Sequence, residues 1–354
     1  MSETRAIGMT LFSLTKPRVV VLLQITAMCA ILSHDLIELN TVDRNTFENM
    51  IIVFIGGYLT AGGANCINMW YDRDIDPIMN RTSKRPLSVG DISPEAALIF
   101  GILISILGTI WLVEMANEIA AFWALFSILF YVFIYTIWLK RTSVQNIVIG
   151  GIAGSTPPVI GWCAAEGNLQ ISMNSFQEFI NSIFDIGGYM PWFMFLLIFL
   201  WTPPHFWALA LYRSEEYKKV GVPMLPNVKG KQRTLLEMKV YAMILILLSI
   251  TAPLSYHNIE FWNEINLDIG NSLIILNTMT LSIWYGLTVW KIDITEENDE
   301  NNRMPTASHS FFISLSYLAF MFIALVLSSI GVQGSIISLI LVVILIFRNR
   351  RVVK

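Results

Sequence analysis

The sequence predicts an all-α fold, a polytopic bundle of transmembrane helices. Of its 354 residues 55% are hydrophobic and only 14% are charged. The mean hydropathy is +0.61, which implies more apolar surface than a soluble domain of this length can bury. Apolar runs of about 18 residues or more recur along the chain, the length at which a helix crosses a bilayer. Lys and Arg are dense in alternate connections only, the pattern that the positive-inside rule produces.

Ten apolar segments follow in order, with approximate limits Val19–Ser33, Met50–Trp70, Ala96–Met115, Ile119–Leu139, Val144–Ala165, Met190–Tyr212, Leu235–Leu254, Leu273–Trp290, Phe311–Ile330 and Ser335–Phe347. The last is shorter than the roughly 20 residues that cross comfortably. One side of the predicted bundle receives the N-terminus, the connections after segments two, four, six and eight, and the C-terminal tail. That side holds 22 of the 23 basic residues, with Arg44 alone opposite. The rule then places both termini in the cytoplasm, and the tail charges favour a crossing tenth segment. The start of the chain carries no cleavable signal pattern and is too short and Arg-poor for a transit peptide, so a prokaryotic cell membrane is expected.

The chain reads as one membrane domain, 1–354, with no soluble second domain. The net charge of −3 carries no basic excess, so no nucleic-acid partner is expected. Cys29, Cys66 and Cys163 lie in or beside apolar runs without CxxC pairing and read as reduced packing residues. The longest external connection, Glu166–Tyr189, contains at Phe176–Phe184 a stretch suited to a short surface helix. His34, His257 and His309 fall near span ends and read as interfacial.

Chemistry concentrates at Asn65–Leu87, where an apolar run ends in Asp72, Asp74 and Asp76 and a basic cluster, Arg81, Lys84 and Arg85, follows. Asn68, Asp72 and Asp76 stand four residues apart and would share one face of a continuing helix, drifting about 40° per step. Asp74 would point elsewhere. Mg²⁺ is commonly held by one or two carboxylates plus substrate phosphates, and Arg or Lys neutralise the remaining phosphate charge. The plainer alternative is a charged loop that marks the membrane surface. Lys140 and Arg141 follow segment four, and Arg213, Glu215, Glu216, Tyr217, Lys218 and Lys219 follow segment six, so a second acidic cluster ends a span of the same direction as segment two.

Segment six holds Pro203–Pro204, which should kink or break the helix. His205 follows, about 12 Å below the cytoplasmic end by helical rise. An ionisable group at that depth is a functional candidate; a satisfied interhelical hydrogen bond is the alternative. Segment five has a second pair, Pro157–Pro158. Its Gly150, Gly151 and Gly154 would let a neighbouring backbone or a flat ligand come close.

The NxxxDxxxD pattern at Asn68, Asp72 and Asp76 resembles the first motif of the UbiA superfamily of intramembrane prenyltransferases. Within it, NMWYDRDIDPIMNRTSKRPL, YTIWLKRTSVQNIVIGGIAGSTPPVIGW and FLWTPPHFWALALYRSEEYKKVGVPMLP are similar to the heme O synthases (protoheme IX farnesyltransferases), as is LTKPRVV at Leu14–Val20. The likeness covers a core of about 14–330. Two departures stand out. Glu216–Tyr217 replaces a common Asp-Tyr pair, and the family typically has nine spans, so 331–354 is an extra hydrophobic segment with a basic tail.

The resemblance implies farnesyl transfer from farnesyl diphosphate to a vinyl group of heme B, with hydration, to give heme O. It assigns Asp72 and Asp76 to Mg²⁺ and Asn68 to the diphosphate. Arg81 and Arg85 foremost, with Lys140 and Arg141, would contact phosphate. Glu216 and Tyr217 would form the second acidic site, and His205 would contact heme. Membrane lipid surrounds such a protein, and heme A synthase or terminal oxidase assembly machinery would take its product. Other acceptors within the superfamily, a heme-binding assembly factor and a transporter are the alternative readings.

Overall fold

The computed structural model describes residues 2–256, 269–300 and 303–350; the expectation for His257 lies outside them. The described chain folds into helices and no strands. An N-terminal helix, α1 (Ser2–Leu14), leads through a left-handed turn at Lys16 into α2 (Pro17–His34), which continues as a π-helical turn over Asp35–Leu39. Next come α3 (Arg44–Tyr71), the short α4 (Pro86–Val89) and α5 (Pro94–Met115). The fourth span is composite: α6 (Glu118–Leu129), a π-helical stretch over Phe130–Leu139, and α7 (Lys140–Thr142). Helices α8 (Asn146–Ser155) and α9 (Pro157–Glu166) make the fifth, and α10 (Phe176–Phe184) is the expected surface helix. The second half comprises α11 (Met190–Lys219), α12 (Leu225–Ile250), α13 (Ile269–Trp290), α14 (Pro305–Ser328) and α15 (Val332–Arg350).

Among the described residues nine helices are long and apolar enough to cross a membrane, and Val332–Asn349 is one of them. The tenth segment is therefore longer than its apolar core, because α15 begins before Ser335 and runs to Arg350. Helix α12 packs in the bundle beside α11 and α13. Its first half carries Lys229, Lys231, Arg233, Glu237 and Lys239, which keeps it outside those nine.

Local signals explain the boundaries. Asp43 caps α3: its Oδ1 accepts from Asn45 N at 2.8 Å and Thr46 N at 3.3 Å, while Thr46 Oγ1 accepts from Asp43 N at 3.1 Å, a reciprocal capping box. Pro157 divides α8 from α9, with Thr156 as the only intervening residue. The expected break in segment six does not occur: Pro203 and Pro204 lie inside an uninterrupted 30-residue α11. Proline's fixed φ of about −65° suits a helix; what it removes is the N–H donor, at roughly 3 kcal/mol. Thr202, Pro203, Pro204, His205 and Trp207 are all buried there, so tertiary packing offsets that loss.

Lipid tails give helices no hydrophobic reason to associate, so packing and interhelical hydrogen bonds must do it. Helices α3 and α5 make the most extensive pair; a Cβ on Gly63 would come within 2.6 Å of Gly101 O. A polar seam joins the second half: Ser249 Oγ to Ser282 Oγ at 2.6 Å, Ser282 Oγ to Tyr317 Oη at 3.1 Å, and Thr288 Oγ1 to Ser310 Oγ at 3.1 Å. Such bonds contribute about 0.6 kcal/mol each on average. The cysteines are free, with Cys66 and Cys163 buried, as expected of packing residues.

Candidate active site

The α-helical part of α3 ends at Tyr71, and the chain continues as two 3₁₀ turns, Asp72–Asp74 and Asp76–Ile78. The continuing-helix expectation for Asn68, Asp72 and Asp76 is corrected here, because the tighter turns replace the last α-helical step. The three side chains nevertheless remain together in the interior, at 3%, 0% and 2% exposure. Asp74 points outward, and Arg141 grips it with two bonds of 2.7 Å.

Each buried carboxylate faces a cation from another part of the chain. Arg85 Nη1 donates to Asp76 Oδ2 at 2.6 Å, and Lys140 Nζ donates to Asp72 Oδ2. Arg141 Nη2 lies 3.6 Å from Asp72 Oδ1, an oxygen that accepts no hydrogen bond. Asn68 donates through Nδ2 to Thr136 Oγ1 at 3.1 Å. Thr82 Oγ1 donates to the Asp76 carbonyl at 2.8 Å and pins the loop that brings Arg85 back. Arg81 is exposed and takes no part in this network.

Two groups escaped the sequence reading. Lys16 Nζ donates to Asn68 Oδ1 at 2.7 Å, and its backbone is left-handed at φ 52°, a conformation rare for a non-glycine residue. Burial, with the positive charges of Arg85 and Lys140, depresses its ammonium to about 7, against the opposing pull of Asp72 and Asp76. The Lys16–Pro17 dipeptide ahead of the first span was the available signal. Tyr131 and Tyr135 stack at 5.3 Å on the π-helical stretch, and Asp72, Asp76, Arg81 and Arg85 are the charged groups acting on Tyr131. A side chain at Gly150 would collide with the Tyr135 ring, so Gly150 serves that ring. Gly151 approaches Thr202, and Gly154 meets nothing within 4 Å.

The second acidic cluster reaches the first through apolar contacts. Ile75, between Asp72 and Asp76, packs with Ile147, Ala210, Val222 and Met224, and Tyr217 joins that cluster. Glu216 binds Arg213 at 2.6 Å within its own helix. His205 stands apart from this assembly. Its ring lies between Trp201, with centroids 4.2 Å apart, and Phe311, 4.5 Å apart, and its Nδ1 bonds Ser314 Oγ at 2.5 Å. His34, expected at the interface, is instead buried and paired with two carboxylates.

Four cations, Lys16, Arg85, Lys140 and Arg141, thus surround three aspartates, an arrangement suited to a polyanion. Several known proteins are similar to this chain in sequence, and others in fold. A protoheme IX farnesyltransferase of Bartonella tribocorum is 37% identical over 90% of this chain and 90% of its own length. That of Bartonella bacilliformis is 39% identical over 88% and 87%, and that of Symbiobacterium thermophilum is 44% identical over 66% and 70%. A solved digeranylgeranylglyceryl phosphate synthase superposes with a TM-score of 0.64 at 19% identity, covering 93% of this chain and 99% of the other. A UbiA homolog from Archaeoglobus fulgidus, bound to GPP and Mg²⁺, gives 0.53 at 17% identity, with 91% and 99% covered. The model of the UbiA prenyltransferase family matches residues 19–263, and the chain belongs to that family.

Proposed function

We propose that this multi-pass membrane protein transfers the farnesyl group of farnesyl diphosphate to a vinyl group of heme B, with hydration, to give heme O. The observation that carries the reading is the pair of buried carboxylates, Asp72 and Asp76, ringed by cations. Relatives named protoheme IX farnesyltransferase, similar over most of the chain, supply the acceptor.

The donor set fits Mg²⁺. Asp72 Oδ1 is a buried carboxylate oxygen without a hydrogen bond, and two carboxylates are what a Mg²⁺–diphosphate complex usually takes from protein. Asp72 and Asp76 would hold the ion, which supplies Lewis-acid stabilisation of diphosphate charge. Arg85, Lys140, Arg141 and Lys16 take up the charge that develops as the C1–O bond of the donor breaks and its electron pair leaves with the diphosphate. Asn68 orients that group. The rings of Tyr131, Tyr135 and Tyr217 offer negative faces to the allylic cation, and the apolar surroundings exclude water until the vinyl carbon attacks.

His205 contacts the heme. Ser314 occupies Nδ1 and fixes the ring, leaving Nε2 as the nitrogen for iron, the usual outer-sphere arrangement of a ligating histidine. Glu216 belongs to the second acidic site with Tyr217. Both termini and Asp72 face the cytoplasm across a cell membrane in this reading, which the placement of Lys and Arg supports. Heme A synthase or the assembly machinery of a terminal oxidase receives the product.

The test supplies purified protein with heme B, farnesyl diphosphate and Mg²⁺ and looks for heme O by mass spectrometry. Product that forms only with Mg²⁺ supports the reading. Folded protein that yields none, or yields it without the metal, overturns it.

A further inference from the structure

At the other end of α2 from Lys16, about 27 Å away by helical rise, lies a second ionisable cluster with no part in prenyl transfer. His34 closes α2, Asp35 opens the π-helical turn, and Glu166 closes α9. His34 Nδ1 is 2.7 Å from Asp35 Oδ1, and His34 Nε2 is 2.8 Å from Glu166 Oε2. His34 and Asp35 are 3% and 2% exposed.

The proton count follows from these two contacts. An ionised carboxylate only accepts, and a neutral imidazole has a single N–H. Two short contacts therefore need one proton more than a neutral histidine and two carboxylates provide. That proton sits on the imidazole or on one of the acids; either way it closes both bonds. Without it, one contact sets two lone pairs against each other.

The surroundings favour keeping it. Glu38, on the same turn, adds its negative charge to both His34 and Glu166. Among the described residues no Lys or Arg forms an ion pair with Asp35, Glu38 or Glu166, and Arg44 is taken by Glu48. Cys163, buried one turn before Glu166, is the other titratable group on α9; Asp43 and Asp185 are exposed. Trp162 meets the imidazole edge-on at 4.9 Å.

The cluster also seats the long connection between α9 and α11. Gly187, at φ 86°, lies against Glu166, where a Cβ would come within 2.7 Å of the carboxylate. Trp162 Nε1 donates to Ile186 O at 3.0 Å, and Asn117 Nδ2 donates to Cys163 O and Gly167 O, each at 2.6 Å.

We infer that His34, Asp35 and Glu166 form a proton-held latch that ties α2 to α9, seats residues 167–189 over that end of the bundle, and releases them when the proton is lost. The latch opens as the pH rises through the loss of that proton.

The experiment uses the full chain in detergent. Nitrogen-15 NMR of labelled histidines, with His34 assigned by its loss in His34→Gln, reads the protonation of both ring nitrogens against pH. Hydrogen exchange reads the protection of 167–189 after correction for the intrinsic pH dependence. The expected result is that the His34 transition coincides with an at least tenfold fall in that protection. His34→Gln and the isosteric Glu166→Gln should show low protection at every pH, while binding Mg²⁺–farnesyl diphosphate within twofold of wild type. Protection that stays constant through the His34 transition overturns the latch, as does a ring that lacks the proton while 167–189 remains protected. Wild-type measurements decide the matter even where a variant fails to fold.

Discussion

Lys16 Nζ donates to Asn68 Oδ1 at 2.7 Å, across 52 residues of chain, and so ties the turn before α2 to the last turns of α3. The bond is unusual in its poverty: an ammonium among Arg85 and Lys140 has a neutral amide as its hydrogen-bond partner. Such a group is suited to an anionic partner.

The pH dependence of diphosphate binding follows. Lys16 is lowered to about 7 from an ordinary 10.5, so without a bound anion it would lose its proton as the pH rises above neutrality. A bound diphosphate restores the charged form, so binding takes up a proton. Affinity should fall above pH 7 by up to about tenfold per unit, the linkage limit for one proton. In the unliganded protein the sign reverses. Between about 7 and 10.5 the unfolded chain binds more protons at this residue, so its contribution to stability grows with pH. Lys16→Met should weaken diphosphate binding at pH 6 and flatten the slope above pH 7, both readable by calorimetric titration.

For the carboxylates, Asp72→Asn and Asp76→Asn should each lower heme O formation roughly 10²- to 10³-fold, the scale of losing one preorganised electrostatic partner. Heme binding, read spectroscopically, should persist in both. Full turnover in either variant would remove that carboxylate from the metal.

His205→Ala should abolish the heme spectrum of the purified protein while leaving diphosphate affinity unchanged. Ser314→Ala removes the partner of Nδ1 but keeps the imidazole; outer-sphere losses of this kind cost about 10–100-fold in metal affinity. An unaltered heme spectrum in His205→Ala would end the proposed role.

Gly150→Ala and Gly154→Ala form a matched pair on one helix. The first should displace the Tyr135 ring, at a cost of about 1–3 kcal/mol for overpacking, and should slow turnover. The second meets open space and should be neutral, or more stable by up to about 1 kcal/mol from helix propensity. Thermal unfolding and heme O formation separate the two.

Much of this was legible in the chain. Apolar runs marked the spans, and the charges of Asp72, Asp76, Arg85, Lys140 and Arg141 marked the candidate site, because hydropathy and charge are local properties. The exit of α3 at Tyr71 was not legible, since a four-residue spacing fits an α-helix and two 3₁₀ turns alike. Nor was the continuity of α11 through Pro203–Pro204, which burial of its neighbours decides. Lys16, Tyr131 and Tyr135 lie far in sequence from Asn65–Leu87, and only the closure of α2, α3 and the π-helical stretch brings them to Asn68 and Asp72. His34 looked interfacial because its partner Glu166 lies 132 residues away.

The cations on Asp72 and Asp76 bear on the order in which the site fills. Lys140 and Arg85 pair with the two carboxylates, so a bare divalent ion would meet an excess of positive charge there. In the proposed reaction a diphosphate that arrived with its metal already chelated would compete for Arg85 and Lys140, leaving Asp72 and Asp76 to hold the ion. The proposed site would then take metal and prenyl donor together, and free Mg²⁺ in large excess over the diphosphate should give no further gain in rate.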